Sequence, residues 1–477
     1  MTNKTYEYIF QEVPLLSKIA QFTQEIGTEA YLIGGFVRDL LLARPCKDLD
    51  IVCLGSGTHF AETLANKLDP NIHVSLFKNF GTAMFQYEGW KIEVVGARKE
   101  SYQRNSRKPT VENGTLEDDQ NRRDFTINAL AISLNKHNFG TLIDPFGGLE
   151  DLQKKNIRTP LNPDITFSDD PLRMMRAIRF SSQLGFDIAP DTFEAIIRNK
   201  ERIKIVSQER ITEEINKIVL SNPPSYGFKL LFHSGLLHII FPEMVALQGV
   251  EAVGDKRHKD NFYHTLQVLD NLSEKTSDLW LRWAAILHDI AKPATKRFDE
   301  KIGWTFHGHE DKGARMTPHI FRKLKLPMGE NMRKVQKLVR LHLRPIALVK
   351  DHITDSAIRR LLFDAGEDLE NLMMLCRADI TSKDHQKVKK YLANFDKVEQ
   401  RLKEIEEKDK IRNFQPVITG EIIMQTFGLK PCKEVGIIKA QIREAILEGE
   451  INNQYEEAYA LMLKIGTKYG LKANITN

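Results

Sequence analysis

Between Tyr31 and Val52 a glycine pair and an arginine stand ahead of two alternating carboxylates: Gly34-Gly35, Arg38, then Asp48-Leu49-Asp50-Ile51. Gly34 and Gly35 let a backbone approach a triphosphate closely, because no Cβ stands in the way. Phe36 to Leu42 reads as a helix whose first N–H groups would face the same anion, and Arg38 adds a fixed positive charge at its start. A period of two puts Asp48 and Asp50 on one face of a strand and Leu49 and Ile51 on the other. Two adjacent carboxylates repel each other, and such a pair suits a hard divalent cation, most often Mg2+ in phosphate chemistry. A glycine pair alone is a turn and an alternating aspartate pair alone a solvated strand end; their order and distance carry the reading. Glu93, on the alternating run Lys91 to Val95, either supplies a third acidic side chain or faces solvent. Arg123 suits a phosphate or a ribose, or a surface ion pair with Asp124 or Asp119.

A third group follows at Asp170-Pro171-Leu172-Arg173, with Arg176 and Arg179 behind it. Asp170 before Pro171 is a good helix N-cap, which accounts for Asp170 by itself. It does not account for arginines at every third position. A step of three falls short of a full turn by about 60°, so Asp170, Arg173 and Arg176 share an arc of roughly 120° while Arg179 has drifted about 180° away. Asp170 and Arg173 then offer an acceptor and a donor to a base edge, with planar geometry suited to hydrogen-bond recognition. Arg176 and Arg179 serve phosphates or clamp neighbouring helices.

Further along, His264 lies in one helical stretch, and the apolar run Trp283 to Leu287 ends in His288-Asp289, followed by Lys292-Pro293. An earlier His, a His-Asp pair and a distant Asp resemble the signature of HD-type metal phosphohydrolases. His264, His288, Asp289 and Asp379 fill those places, and His309 and His342 match the extra histidines that support a second metal. Imidazole and carboxylate together suit a transition-metal ion, with Asp289 able to bridge two. Buried histidines on apolar helices are otherwise core residues.

The elements that must hold these groups follow from composition. The chain has 477 residues, 42% hydrophobic and 28% charged, an ordinary globular balance with room for two to four domains. Its net charge of +5 permits a local polyanion-binding patch without demanding one. Candidate patch residues are Arg98, Lys99, Arg104, Arg107, Lys108, Lys154, Lys155 and Arg158. The four cysteines form no C-x-x-C pair, so neither a zinc ribbon nor a disulfide framework is suggested, and reduced thiols in a cytoplasmic setting fit best. Neither a signal-peptide core nor a membrane-length apolar run is present. Short alternating strands and helices fill residues 1 to 150. A polar stretch from Ser101 to Asn121 lacks periodicity and reads as a mobile loop. Helices punctuated by prolines dominate after 151, and Asp396 to Arg412 reads as an exposed, charged, helical connector.

The motifs together resemble the bacterial-type tRNA nucleotidyltransferase and poly(A) polymerase family. Beyond the first run, Arg122-Arg123-Asp124-Phe125-Thr126-Ile127-Asn128-Ala129, Asp144-Pro145-Phe146-Gly147-Gly148 through Leu152, the Asp170 helix, and Glu209-Arg210-Ile211 with Glu214 match its motifs in order. The resemblance implies an α+β fold: a nucleotidyltransferase head with a mixed sheet over 1–150, then an all-α neck over 151–250, an HD domain over 251–390 and a tRNA-binding tail over 391–477. It implies Asp48, Asp50 and Glu93 as catalytic carboxylates with Mg2+ on the aspartates. It also implies Gly34, Gly35, Arg38, Arg123, Asp170, Arg173, Arg176 and Arg179 as nucleotide-binding residues, and a 101–121 loop that helps switch nucleotide choice.

The expected activity is template-independent addition of CCA to tRNA 3′ ends from CTP and ATP. CC-adding, A-adding and poly(A) enzymes share these motifs. From another class, the chain would act mainly as an HD phosphohydrolase on nucleotides or RNA ends. A non-catalytic RNA-binding protein is disfavoured by the intact carboxylate pair. The sequence assigns no oligomeric state.

Overall fold

β-Branched and aromatic residues in short alternating runs build the first part of the chain into a mixed sheet, and proline-started helices build the remainder. The computed structural model describes residues 5–474 except 78–80, 102–109, 254–255, 258–259, 351–353, 382–383, 410–411 and 413. Contacts divide the chain into two compact units, Met1–Val245 and Ala246–Asn477.

In the first unit the described strands are β1 (Ala30–Ile33), β2 (Asp48–Cys53), β3 (Ser75–Phe77), β4 (Thr82–Tyr87), β5 (Trp90–Gly96), β6 (Arg98–Ser101), β7 (Thr110–Asn113), β8 (Ala131–Ser133), β9 (Leu142–Ile143), β10 (Asn156–Ile157) and β11 (Asp187–Ile188). Among the described residues, seven of them form one sheet in the order β3-β4-β5-β2-β1-β8-β9. β2 and β5 run parallel, in a register that sets Asp48 beside Lys91 and Asp50 beside Glu93. Leu49 and Ile51 point to the opposite face and are fully buried. On the aspartates' own face Val52 joins Tyr31, Ile33, Ala97 and Ala131 in an apolar cluster, so the carboxylates sit at the edge of a packed core. The helix Gly57–Leu68 lies across β4 and β5 and buries Phe60, Ala61, Leu64 and Ala65.

The aperiodic loop expected over 101–121 is corrected where the structure describes it. β6 and β7 pair antiparallel, and the helix Leu116–Asn121 starts from a capping box in which Thr115 and Asp118 exchange hydrogen bonds. Residues 102–109, which include Arg104, Arg107 and Lys108 of the expected basic patch, lie outside the described residues.

After Gly148 the unit is helical apart from a short parallel pair, Asn156–Ile157 with Asp187–Ile188. Helix Leu172–Leu184 buries Met174, Met175, Ala177 and Ile178 and packs against helices Gln208–Val219 and Pro224–His233. It begins one residue later than its Pro171 suggests, yet the Asp170 carboxylate still accepts from the Leu172 N–H at 3.2 Å.

The second unit is built from helices with two small two-stranded ribbons, at Ala252–Arg257 and Arg297–Thr305. Its core gathers Phe262, Leu266, Trp283, Ile286, Phe321, Leu338 and Leu372. The charged stretch read as an exposed connector belongs to a 25-residue helix, His385–Asp409, and is not exposed all round. Phe395, Val398, Leu402 and Ile405 recur at three- and four-residue steps and are buried. Charge density hid that stripe.

The start of the Gly57 helix is tightly packed: a Cβ on Gly57 would lie 2.4 Å from the Gly96 nitrogen and 2.7 Å from the Val95 carbonyl carbon. Backbone cannot yield as a side chain does. Gly57→Ala is expected to cost about 1–3 kcal/mol, read as a fall in Tm of roughly 2–4 °C per kcal/mol in thermal unfolding.

Candidate active site and metal centre

Asp50 and Glu93, neighbours on the parallel strands, form one wall of a cavity of about 330 Å³. Thr82, Arg98, Arg122, Arg123 and Asp124 continue it, and Asp170, Arg173, Arg176 and Arg210 close the opposite side from the helices. Six arginines against four carboxylates give the lining a net cationic character suited to a polyanion. The Asp50 carboxyl is pushed up to about 6 by its burial, with Glu93 and Asp48 adding to the shift and Arg123 and the Gly35 N–H opposing it. Removing that repulsion is what a divalent cation would do, so the carboxylates fit one.

The glycine pair has a structural task here. Gly34 has φ +74°, and a Cβ on it would meet both the Asp50 carboxylate and the Arg123 guanidinium at 3.0 Å. The backbone therefore touches the two charged groups directly. Asp48 stands two residues up β2 from Asp50 and is exposed. Arg123 lines the cavity and also pairs with Asp119 at 3.0 Å, a buried carboxylate rather than a surface one.

The three-residue spacing on helix Leu172–Leu184 divides as its geometry requires. Asp170, Arg173 and Arg176 line the cavity. Arg173 donates to the Arg122 carbonyl at 2.6 Å, and Arg176 Nε donates to Asp124 at 2.7 Å. Asp124 is buried, which raises its pKa, but Arg176 and Asn128 outweigh burial and hold it well below the usual carboxylate range. Arg179 and Arg38 are not in the cavity lining. Arg179 is paired with Glu214 at 2.6 Å among packed helices, and burial lowers its guanidinium to about 10 with Glu214 resisting. Arg38 is 8% exposed, forks onto Asp39 at 2.9 Å and donates to Asn128. Both lie over the Phe180 ring.

Several residues given no role from sequence also matter. Arg98, Arg122 and Arg210 were legible only as parts of a patch or motif, and Thr82 carried no signal. The Asp144 carboxylate caps helix Gly148–Lys154 through the Gly148 and Leu149 N–H groups at 2.7 and 2.9 Å. Asp151 on that helix accepts from the Thr126 hydroxyl at 2.6 Å. This motif braces the turn that carries Asn128.

In the second unit six side chains from five separate helix ends converge. His264, His288 and Asp379 present ligand atoms within 4.8 Å of one another, and so do Asp289, His309 and His342. Asp289 joins the two sets: its Oδ2 lies 3.3 Å from His288 Nε2 and its Oδ1 3.3 Å from His309 Nε2. Each imidazole is oriented from behind. His288, His309 and His342 set Nδ1 against the carbonyls of Ala285, Phe306 and Val339 at 2.7 to 2.8 Å, and His264 Nδ1 meets the Thr381 hydroxyl at 2.9 Å. A carbonyl only accepts, so in those three rings Nδ1 carries a proton and Nε2 is the nitrogen turned toward the cluster.

His288 Nε2 is buried and meets its carboxylates at ion-pair distance without hydrogen-bonding geometry. Burial opposes its charge, but Asp289 and Asp379 push the imidazole up to about 10, whereas burial and His288 bring His342 down to about 4. Lys292 lies 2.6 Å from Asp289 Oδ2. An imidazole–carboxylate cluster with inward nitrogens fits a pair of transition-metal ions.

Three domain families match the chain: the poly A polymerase head domain at residues 30–158, the probable RNA and SrmB-binding site of polymerase A at 185–247, and the HD domain at 261–384. An A-adding tRNA nucleotidyltransferase of Deinococcus radiodurans is 32% identical over 72% of this chain and 77% of its own length. A CCA-adding enzyme of Lactobacillus delbrueckii subsp. bulgaricus is 37% identical over 62% of this chain and 68% of its own. The chain spans only 28% of an A-adding relative from Geobacter sulfurreducens, at 37% identity. Among solved structures, the Bacillus stearothermophilus CCA-adding enzyme in complex with CTP superposes with a TM-score of 0.66 at 25% identity, covering 97% of this chain and 98% of that one.

The Arg179–Glu214 pair tests which arginines are structural. Arg179→Ala leaves a buried carboxylate without its guanidinium and is expected to cost about 3–5 kcal/mol, while R179M combined with E214L recovers most of that loss. Chemical unfolding midpoints of the full chain distinguish the two.

Proposed function

The chain belongs to the tRNA nucleotidyltransferase and poly(A) polymerase family, and from that premise we propose that it adds CCA to tRNA 3′ ends from CTP and ATP, releasing pyrophosphate. The observation that carries the reading is one cavity in which strand carboxylates face the Asp170–Arg173 pair across a ring of arginines. Nucleotidyltransferases of this type use a divalent metal. Here Asp48 and Asp50 would hold it, as Mg2+, and it would supply charge neutralisation at the triphosphate and activation of the RNA 3′-hydroxyl.

The chain's own residues do the remainder. Gly34 and Gly35 keep the backbone close enough for a triphosphate to reach Asp50, and Arg123 supplies positive charge on the same side. Glu93 keeps the local charge negative enough to favour a cation. Asp170 and Arg173 read the base edge as acceptor and donor, so the protein selects the nucleotide in place of a template. Arg176, Arg38 and Arg179 hold the helix and the glycine turn in register. The neck (151–250) and tail (391–477) carry the tRNA, in a cytoplasmic setting.

A second reading rests on the other unit. Two ligand triads, joined where Asp289 of one lies 3.3 Å from His288 of the other, favour a metal-dependent phosphohydrolase acting on nucleotides or RNA ends alongside nucleotide addition.

The decisive assay extends tRNAs ending before the tail, after one C and after two, with CTP and ATP given separately and together. Three defined additions ending in A are expected; stopping after two C, adding A alone, or a long ladder with ATP would each replace the CCA assignment. Asp50→Ala and Asp48→Ala should abolish extension by at least about three orders of magnitude while leaving the circular dichroism spectrum intact. Metal-dependent ring opening of a 2′,3′-cyclic nucleotide by water, to a 2′- or 3′-monophosphate, should disappear in H288A and persist in D50A; ring opening surviving H288A would exclude the HD cluster as its source.

A further inference from the structure

Asn128 sits in the short turn Thr126–Asn128, 5% exposed, and uses both ends of its amide. Its oxygen accepts from Arg38 Nη1 at 2.9 Å, and its nitrogen donates to Asp124 Oδ1 at 3.0 Å. The other Asp124 oxygen receives Arg176 Nε at 2.7 Å. A continuous buried chain therefore runs from the helix behind the glycine pair, through Asn128 and Asp124, to an arginine that lines the cavity beside Asp170 and Arg173. Arg38 and Arg176 also lie over the same Phe180 ring, at 4.9 and 5.3 Å. The Asn128 carbonyl faces Arg123 Nη1 as well, at 3.5 Å.

We propose that Asn128 is a positioning residue for nucleotide choice, linking the glycine-turn helix to the cavity arginine through Asp124. The proposal rests on the reading of the cavity as a nucleotide site. The amide is suited to this place because the two partners have opposite charge. A guanidinium needs an acceptor and a carboxylate needs a donor, and a neutral amide offers both. A carboxylate here would keep the bond to Arg38 and repel Asp124. A hydroxyl would be too short to span both. In either case Asp124 loses a partner, and the orientation of Arg176 beside the base-reading pair is no longer set from the glycine side.

The test uses the full chain carrying N128D or, as a second variant, N128S. Dissociation constants for CTP, ATP, UTP and GTP are measured by calorimetry, and kcat and KM for tRNA extension are measured with the same nucleotides. A merely structural asparagine would reduce the active fraction equally for every nucleotide and leave their ratios untouched. The expected result is a loss of about tenfold in the preference for CTP and ATP over UTP and GTP, in both binding and kcat/KM. A preference within about twofold of the parent chain in a folded variant overturns the proposal, as does a parent chain that binds all four nucleotides alike. Failure of the parent chain to extend tRNA would count against the nucleotidyltransferase reading instead, and the binding ratios would still decide the role of Asn128.

Discussion

Asp50 and Glu93 stand side by side because β2 and β5 run parallel in a register that pairs them, at the edge of an apolar cluster that screens them poorly. Burial pushes the Asp50 carboxyl up to about 6, and the Glu93 charge beside it adds to the shift. The neighbouring structure answers that constraint. Gly34 lets backbone approach within contact of the carboxylate, Arg123 brings positive charge, and Arg173, Arg176 and Arg210 arrive from helices on the far wall. The second unit meets the same constraint differently. Asp289 is buried and Asp379 half-buried beside it, and four imidazoles and Lys292 surround them.

The arginines of the first unit divide by what their guanidinium groups meet. Arg123, Arg173 and Arg176 line the cavity, each also tied to protein: Asp119, the Arg122 carbonyl and Asp124. Arg38 and Arg179 are spent on Asp39, Asn128 and Glu214 and packed over Phe180. Tying a long side chain to protein before a ligand arrives reduces the conformational freedom lost on binding. Selection among nucleotides differing by a few ring atoms needs that rigidity, since a loosely held guanidinium would find a partner on any base.

Particular elements show where sequence reasoning reached and where it stopped. Alternation placed the carboxylates on one strand face, and the helical angle separated Arg179 from Asp170, Arg173 and Arg176. Both follow from local geometry, which is a property of neighbouring residues. The stretch from 101 to 121 misled because its two strands alternate weakly and its helix is short, so pairing and the Thr115–Asp118 box supply the order. The stripe Phe395, Val398, Leu402 and Ile405 was obscured by the charges around it. Thr82 reaches the cavity from β4 and nothing local marks it, while Arg210, from helix Gln208–Val219, is marked only as part of a motif and without a role.

By itself the sequence determined the types of chemistry available: a carboxylate pair, a glycine turn and a donor–acceptor helix, each readable because its members are close in the chain, and a histidine–aspartate set readable only as the ordered pattern of the HD signature. Tertiary structure decided which of these meet. The register of two parallel strands, more than 40 residues apart in the chain, set Glu93 rather than Lys91 beside Asp50. Packing chose which arginines face the cavity, and it drew six ligands from five helix ends into one cluster. The physical reason is range: backbone periodicity acts over a few residues, whereas burial and charge compensation are satisfied only when distant segments close around the same point.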